Sequence, residues 1–465
     1  MKTADAFKHI LKIENSINSN AFVWNNLDTW PLVRKIIWFK LISISPVFKD
    51  KKEKEFQKIF DMKKSFLFSL FRKTKINQDS ERIFFSRPEY LQEIEANKLI
   101  DRIVDPIIQL CETRKISKYY FRKLSKEKKM FKEHYEMLNK PSLTYISIKK
   151  NQIDTLKKIA ERLKIDNLEL QNEYRHELNS FSDWFKSAKK LLLKHKNLKE
   201  IYLTCWYTTE TMGICAAASQ LGIKTIDIQH GKQGQYQAMY SGWSKIPQKG
   251  YDLMPDRFWC WGKSSCDHIL SHSPNRKRHI PFVGGFPWIE YYKKNIMSRY
   301  PKGSSNIRVL VTLQSPQGDN HERIPDFILR FLTLEQIKNA HFIFRLHPND
   351  THGLDYCSER LKLIPSNIYT IDFGNTNLYD LFNEVTHHIT AYSSCCYEAS
   401  HFGLSTLLYG SESKEIYEHE IKEKIFSWTD SSTSDLIGWL TSKPSNRSKM
   451  LNPYIEDIKV KMRRF

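Results

Sequence analysis

The chain has 465 residues, 40% of them hydrophobic and 27% charged, with 73 Lys and Arg against 52 Asp and Glu for a formal net charge of +21. That length suits two to four domains, and the ordinary composition excludes both a disulfide-stapled miniprotein and a largely disordered chain. A surface this basic seeks anions: nucleic acid, an anionic membrane face, or phosphorylated and acidic substrates. The eight cysteines form no CxxC or CxxC…HxxxH pattern, so no zinc site is expected. The opening MKTADAFKHILKIENSIN lacks the apolar core and cleavage site of a signal peptide, which predicts reduced thiols in a cytoplasm. The most apolar stretch, Trp30 to Phe48, is broken by Arg34, Lys35 and Lys40, so no membrane span is expected.

Residues 1–78 read as a basic, helical N-terminal region. Within it Lys51 to Lys75 carries nine Lys or Arg against three acidic residues, interleaved with Phe60, Phe66, Phe68, Leu70 and Phe71. Such a segment suits the surface of an anionic bilayer, and equally a solvated helix face. Ile83 to Phe85 follows as a short buried strand, then a helical pattern from Tyr90 through Cys111. Residues 115–200 have helical spacing, as at Ile153, Leu156, Ile159 and Leu163, and predict two or three helices. Ile201 to Cys205, Thr211 to Leu221 and Lys224 to Ile228 then read as strand, helix and strand, a βαβ unit that implies a parallel sheet.

A second α/β segment has strands at Arg308 to Leu313, His341 to Leu346, Ile368 to Ile371, His388 to Ala391 and Thr406 to Leu408. Helices are predicted at Pro325 to Lys338, Leu378 to Asn383 and Cys395 to Phe402. Pro274 to Ser305, rich in Pro, Gly, Ser and charge, is the hinge candidate. The expected fold is α/β, with two Rossmann-like domains facing a cleft: residues 79–290 on the acceptor side, 300–465 on the donor side, and the helical extension before them.

Ligands of open α/β sheets bind at the carboxyl ends of the strands, so polar residues just past predicted strands carry weight. Asp227-Ile228-Gln229-His230-Gly231 offers a carboxylate and an imidazole, each suited to a base or nucleophile and each also at home as a loop-holding strand end. Arg345-Leu346-His347-Pro348 places two potential cations beside a fixed turn, fit for a phosphate. Ser393 and Ser394 open a helix, where hydroxyls serve a phosphate or simply cap, and Glu398 one turn on suits ribose hydroxyls. Trp261 and Trp288 belong to an aromatic tract that suits either a sugar-stacking platform or a core. No GxxxxGK[ST] loop, GxGxxG turn or Asp-x-Asp pair occurs. P-loop, dinucleotide and metal-chelated nucleotide-sugar sites therefore have no support, and no metal or cofactor is expected.

Taken in order, Trp24-Asn25-Asn26-Leu27-Asp28-Thr29-Trp30-Pro31-Leu32, Asp227 to Gly231, Pro255-Asp256, Trp261-Gly262, Val283-Gly284-Gly285-Phe286-Pro287, Arg345 to Pro348, and Ser393-Ser394 with Glu398-Ala399 and Gly403 resemble bacterial cell-surface polysaccharide glycosyltransferases of the GT-B fold. The HP and Ser-Ser pair is similar to the donor site of sialyltransferases and of capsule, O-antigen or lipopolysaccharide Kdo transferases, which use CMP-activated 3-deoxy-ulosonic acids. By that resemblance His347 contacts the CMP phosphate or ribose, Ser393 and Ser394 the phosphate, and Glu398 the ribose; Arg345 is added on charge. The D/E-D/E-G motif of polysialyltransferases is unmatched, which puts Kdo ahead of sialic acid.

The resemblance implies a metal-independent transferase working with a nucleotide-sugar donor and a polysaccharide or lipid-linked glycan acceptor. It would be cytoplasmic and peripheral on the inner face of the plasma membrane, with no nucleic-acid partner. Asp227 or His230 would act as base in an inverting reaction, or Asp227 as nucleophile in a retaining one. A CDP-glycerol or CDP-ribitol phosphotransferase of teichoic-acid type pairs HG and HP motifs similarly. A non-enzymatic polyanion-binding protein is the alternative from another class.

Overall fold

A computed structural model describes residues 3–42, 79–95, 98–111, 115–121, 136–137, 146–243, 245–295, 307–314, 323–334, 340–347, 350, 353–374 and 376–442. The basic segment Lys51 to Lys75, the last third of the predicted 325–338 helix and Pro348 lie outside them. The described residues fall into two units, one up to Trp288 and one from Ile289 onward.

The first unit is built on seven parallel strands: β1 (Arg82–Ser86), β2 (Ile116–Tyr120), β3 (Glu136–Met137), β4 (Glu200–Thr204), β5 (Lys224–Ile228), β6 (Arg257–Cys260) and β7 (Ile280–Val283). Their spatial order is β7-β6-β5-β4-β1-β2-β3. β1 and β4 are buried along their whole length, as expected for a parallel sheet covered on both faces. Helix α1 (Thr3–Ser16) and helix α2 (Trp30–Ile42) belong to the same core as this sheet, with Phe7, Ile10, Trp30, Val33 and Ile37 all buried.

The cations that interrupt α2 are paired inside this unit. The Arg34 guanidinium, fully buried, donates to the Glu14 carboxylate and to the carbonyls of Ala238 (3.1 Å), Ser241 (3.2 Å) and Gly242 (3.1 Å), and lies 4.2 Å from the Trp243 ring centroid. Trp30 Nε1 donates to Glu14 at 2.7 Å. Lys35 reaches Glu177 at 2.6 Å, and Lys40 reaches Glu169 and Glu173. Among the described residues no helix is long and apolar enough to cross a membrane.

Two expectations are corrected here. Tyr90 to Cys111 is not one helix: Leu91–Glu95 and Lys98–Asp101 pair as an antiparallel hairpin, and only Asp105–Leu110 is helical. The hairpin buries Leu91 and Leu99 against Tyr120, while the Asp101 carboxylate accepts from the Ile103 and Val104 N–H groups. Tertiary packing thus overrides a local helical spacing. Likewise 115–200 begins with strand β2 before its two long helices, Lys150–Leu163 and Asn167–Leu192. The hinge candidate also contains β7 and the helix Pro287–Asn295.

The second unit has six parallel strands: β8 (Ile307–Thr312), β9 (Ala340–Arg345), β10 (Tyr369–Asp372), β11 (His387–Thr390), β12 (Ser405–Tyr409) and β13 (Ser427–Thr429), ordered β10-β9-β8-β11-β12-β13. Both sheets therefore follow the doubly wound order 3-2-1-4-5-6, the first with a seventh strand at its far edge. The five predicted strands of this half fall on β8 to β12, each shifted by a residue or less at most ends.

His387 and His388 sit in β11 within this unit, and burial pushes their imidazoles down to about 4 and about 3. His388 hydrogen-bonds Thr312 (3.0 Å) and Thr406 (3.1 Å) through its two ring nitrogens. Between those values and the unfolded value near 6.5 the unfolded chain binds more protons. The stability of the second unit is therefore expected to fall as pH drops from about 6.5 toward 4. Amide exchange in β11 and β8 across that range checks it, and a His388→Gln protein should show a flatter decline.

Candidate active site

In a doubly wound sheet the strands diverge at the point where the order reverses, leaving a crevice at their carboxyl ends. In the first unit that point lies between β1 and β4, with β5 beside it, so Arg87, Cys205 and His230 emerge there. Cys205 takes φ +60°, a left-handed conformation unfavourable for a residue with a Cβ, and the Thr211 hydroxyl holds the turn through the carbonyls of Cys205 (2.9 Å) and Trp206 (2.7 Å).

The Asp-x-Gln-His-Gly run splits into two roles. Asp227 is fully buried, accepting from the Trp206 N–H at 3.0 Å and the Tyr240 hydroxyl at 2.9 Å. Burial raises its carboxyl well above the usual carboxylate range. The expectation that Asp227 faces a reacting carbon is corrected: both oxygens are engaged in the interior, where it ties the turn after β4 to the 240 region. Gln229 is also buried, accepting from Trp261 N–H (2.7 Å) and donating to Gly231 O (2.9 Å). His230 alone turns outward. It is half-buried, 6.0 Å from the Tyr90 ring, with Nδ1 3.4 Å from the Ile228 carbonyl. A carbonyl only accepts, so this contact favours the proton on Nδ1 and leaves Nε2 with its lone pair. Burial pushes the imidazole down to about 4, helped by Arg87 and Arg102.

The aromatic tract does not form a platform. Trp261 is 4% exposed and stacks on Phe286 with centroids 4.1 Å apart, and Trp288 is 2% exposed; both are core residues. Gly284 serves the same packing, because a Cβ there would lie 2.1 Å from the Trp259 ring, whose Nε1 donates to Gly285 O at 2.9 Å.

In the second unit the order reverses between β8 and β11, and register aligns Asp372, Arg345, Thr312 and Thr390 in one row across β10, β9, β8 and β11. Arg345 is not an isolated cation: its Nη1 pairs with Asp372 at 2.6 Å and donates to Thr376 O at 2.7 Å, so it organises the loop after β10. His347 is half-buried two residues beyond that row. Ser393 Oγ accepts from Cys395 N–H (3.4 Å) and Sγ (3.0 Å), which leaves its hydroxyl proton unspent, and the Ser394 side chain makes no capping bond. Gln314, missed in the sequence, reaches Thr390 at 3.4 Å beside them. Glu398 is half-buried and accepts from the Tyr379 hydroxyl. The arrangement offers hydroxyl and amide donors rather than charge.

Arg87, Arg102 and Tyr90 were also missed. The residue after strand Ile83 to Phe85 is Ser86 and the next is Arg87, so the rule that singled out His230 applied to it equally.

Two parallel doubly wound sheets give the chain an α/β fold of the GT-B type. No protein-family model and no curated protein matches it. Among solved structures it is similar to the UDP-GlcNAc 2-epimerase of Methanocaldococcus jannaschii, 16% identical over 81% of this chain and 95% of that one, with a TM-score of 0.51. A Listeria monocytogenes protein assigned as a UDP-N-acetylglucosamine 2-epimerase is 12% identical over 81% and 93%, also at 0.51. The Neisseria meningitidis UDP-GlcNAc 2-epimerase bound to UDP-GlcNAc is 17% identical over 80% and 94%, at 0.49. At these identities the likeness is one of fold.

Proposed function

We propose that the chain is a glycosyltransferase of bacterial surface-polysaccharide biosynthesis that moves a sugar, Kdo or a related 3-deoxy-ulosonic acid, from a CMP-activated donor to a glycan or glycolipid acceptor without a metal. The observation that carries this reading is the pair of furnished switch points: an outward imidazole with a free Nε2 in the first sheet and a hydroxyl cluster in the second. Solved structures of the same fold include enzymes of nucleotide sugars, in keeping with a nucleotide-sugar substrate. The nucleotide is assigned to the second unit, with Ser393 and Ser394 on its phosphate, His347 on phosphate or ribose, and Glu398 on ribose. The acceptor is assigned to the first.

His230 is the proposed base. Its Nε2 takes the proton of the acceptor hydroxyl, the acceptor oxygen bonds to the anomeric carbon, and the bond from that carbon to the phosphate oxygen breaks with its electron pair leaving on CMP. Asp227, buried and doubly bonded, supports the site and takes no part as nucleophile. Peripheral attachment to the inner membrane face is retained as part of the proposal, carried by the basic segment Lys51 to Lys75.

Thermal unfolding with CMP, CDP, UDP and GDP tests the donor class, since a ligand of the folded state stabilises by RT ln(1 + [L]/Kd). CMP at 100 times its Kd is expected to add about 2.7 kcal/mol, and a Ser393→Ala/Ser394→Ala protein should lose most of that gain. A gain with UDP alone would replace CMP by a uridine donor and leave the fold as described.

A further inference from the structure

Arg87 and Arg102 flank the foot of the 91–101 hairpin. Tyr90 N–H donates to Arg87 O at 3.1 Å and Arg102 N–H donates to Tyr90 O at 3.1 Å, so one residue of the crevice wall bridges the two arginines. Both side chains are half-buried, and the Nε of each is buried without a hydrogen-bond partner. Neither guanidinium is recorded in an ion pair among the described residues, in contrast to Arg34, Arg82, Arg278, Arg323 and Arg345, each of which pairs with a carboxylate. Both bear electrostatically on Tyr90 and on His230, and Arg87 also on Cys205. Asp101, next to Arg102 in the chain, is spent on the Tyr120 hydroxyl and two backbone N–H groups, and Asp227 is interior. Burying a guanidinium N–H without an acceptor is costly, and two such groups on residues joined through Tyr90 point to an anion that completes them.

We propose that Arg87 and Arg102 bind an anionic oxygen group, a carboxylate or a phosphate, on the molecule that offers its hydroxyl to His230, so the acceptor is an acidic glycan. This rests on the reading of His230 as the acceptor-side base. The planar fork of arginine matches either anion through paired N–H donors, and because Tyr90 joins both arginines and its ring lies 6.0 Å from His230, an anion held there orients a neighbouring hydroxyl on the same sugar toward Nε2.

The test is equilibrium titration of the full chain, at constant ionic strength, with glucuronate for the carboxylate, glucose 6-phosphate for the phosphate and glucose as the neutral control. One of the two acids should bind and glucose should not, and Arg87→Gln and Arg102→Gln should each weaken that acid at least tenfold while Arg87→Lys recovers part of the loss. Whichever acid binds names the source of the charge. Binding unchanged in both Gln variants, or matched by glucose, or absent for both acids, overturns the proposal. Should a variant unfold, protection of Arg87 and Arg102 from phenylglyoxal by the same acids in the unsubstituted protein decides: protection upholds the site and its absence overturns it. The CMP melting shift is recorded in parallel. Arginine-dependent acid binding without any cytidine response would remove the donor assignment and leave this site standing.

Discussion

A His230→Asn protein is expected to lose about 10²- to 10⁴-fold in kcat, the range that general-base catalysis contributes, with its fold and its response to CMP intact. The unsubstituted enzyme supplies a second signature. Because burial holds the imidazole down to about 4, it stays unprotonated through the mildly acidic range. The acid limb of kcat/KM should then fall near pH 4 rather than near 6.5, since protonation of Nε2 removes the acceptor of the proton. Asp227→Asn is the partner experiment. Its amide oxygen can accept from Trp206 N–H and its NH2 can donate to the Tyr240 oxygen, reproducing the protonated acid that burial favours. Activity within a few-fold of the parent is expected. A fall as deep as that of His230→Asn would return Asp227 to the chemistry, and parent-like turnover of His230→Asn would take His230 out of it.

Arg34→Met is expected to destabilise the first unit by about 3 to 5 kcal/mol, the cost of breaking a buried ion pair from one side. The substitution leaves the Glu14 carboxylate, 1% exposed on its side chain, with Trp30 Nε1 as its remaining side-chain donor, and three carbonyls at 238, 241 and 242 lose theirs. Adding Glu14→Gln should recover a large part of the loss, because it removes the stranded charge; denaturant melts of the single and double variants measure both. Equal stability of Arg34→Met and the parent would show that the pair contributes nothing net. No recovery in the double variant would place the cost in packing over Trp243 instead.

Much of the fold was legible because a parallel sheet buried on both faces writes its strands as short apolar runs. Lys224 to Ile228 and His341 to Leu346 were found that way, the second one residue late at each end. The same burial hid the division of labour in the site. In a strand with two covered faces, alternation does not say which polar residue turns outward, so Asp227 and His230 read alike although one is sealed and the other half-buried. Arg345 looked like a ligand cation because its partner Asp372 lies on the neighbouring strand, 27 positions on. The hairpin was missed because Leu91 and Leu99 find their reason in Tyr120, a residue of a different strand. Long-range partners carry no local signature, and charge, which the sequence displays openly, is the property most altered by them.

The seat of α1 and α2 sets an order on assembly. Arg34 closes on carbonyls 204 to 208 positions later, and Lys245 donates to the Glu14 carbonyl across 231 positions. At roughly 5 to 20 residues per second, a ribosome needs on the order of 10 to 50 s to make that intervening chain. For that interval the apolar face of α1 and the Arg34–Glu14 pair have left the tunnel without the carbonyls of residues 238–242 and the Trp243 ring, a window in which a holding chaperone would find its substrate. Closure of residues 238–245 over the two helices ends it, before β6 and β7 have been added to the sheet.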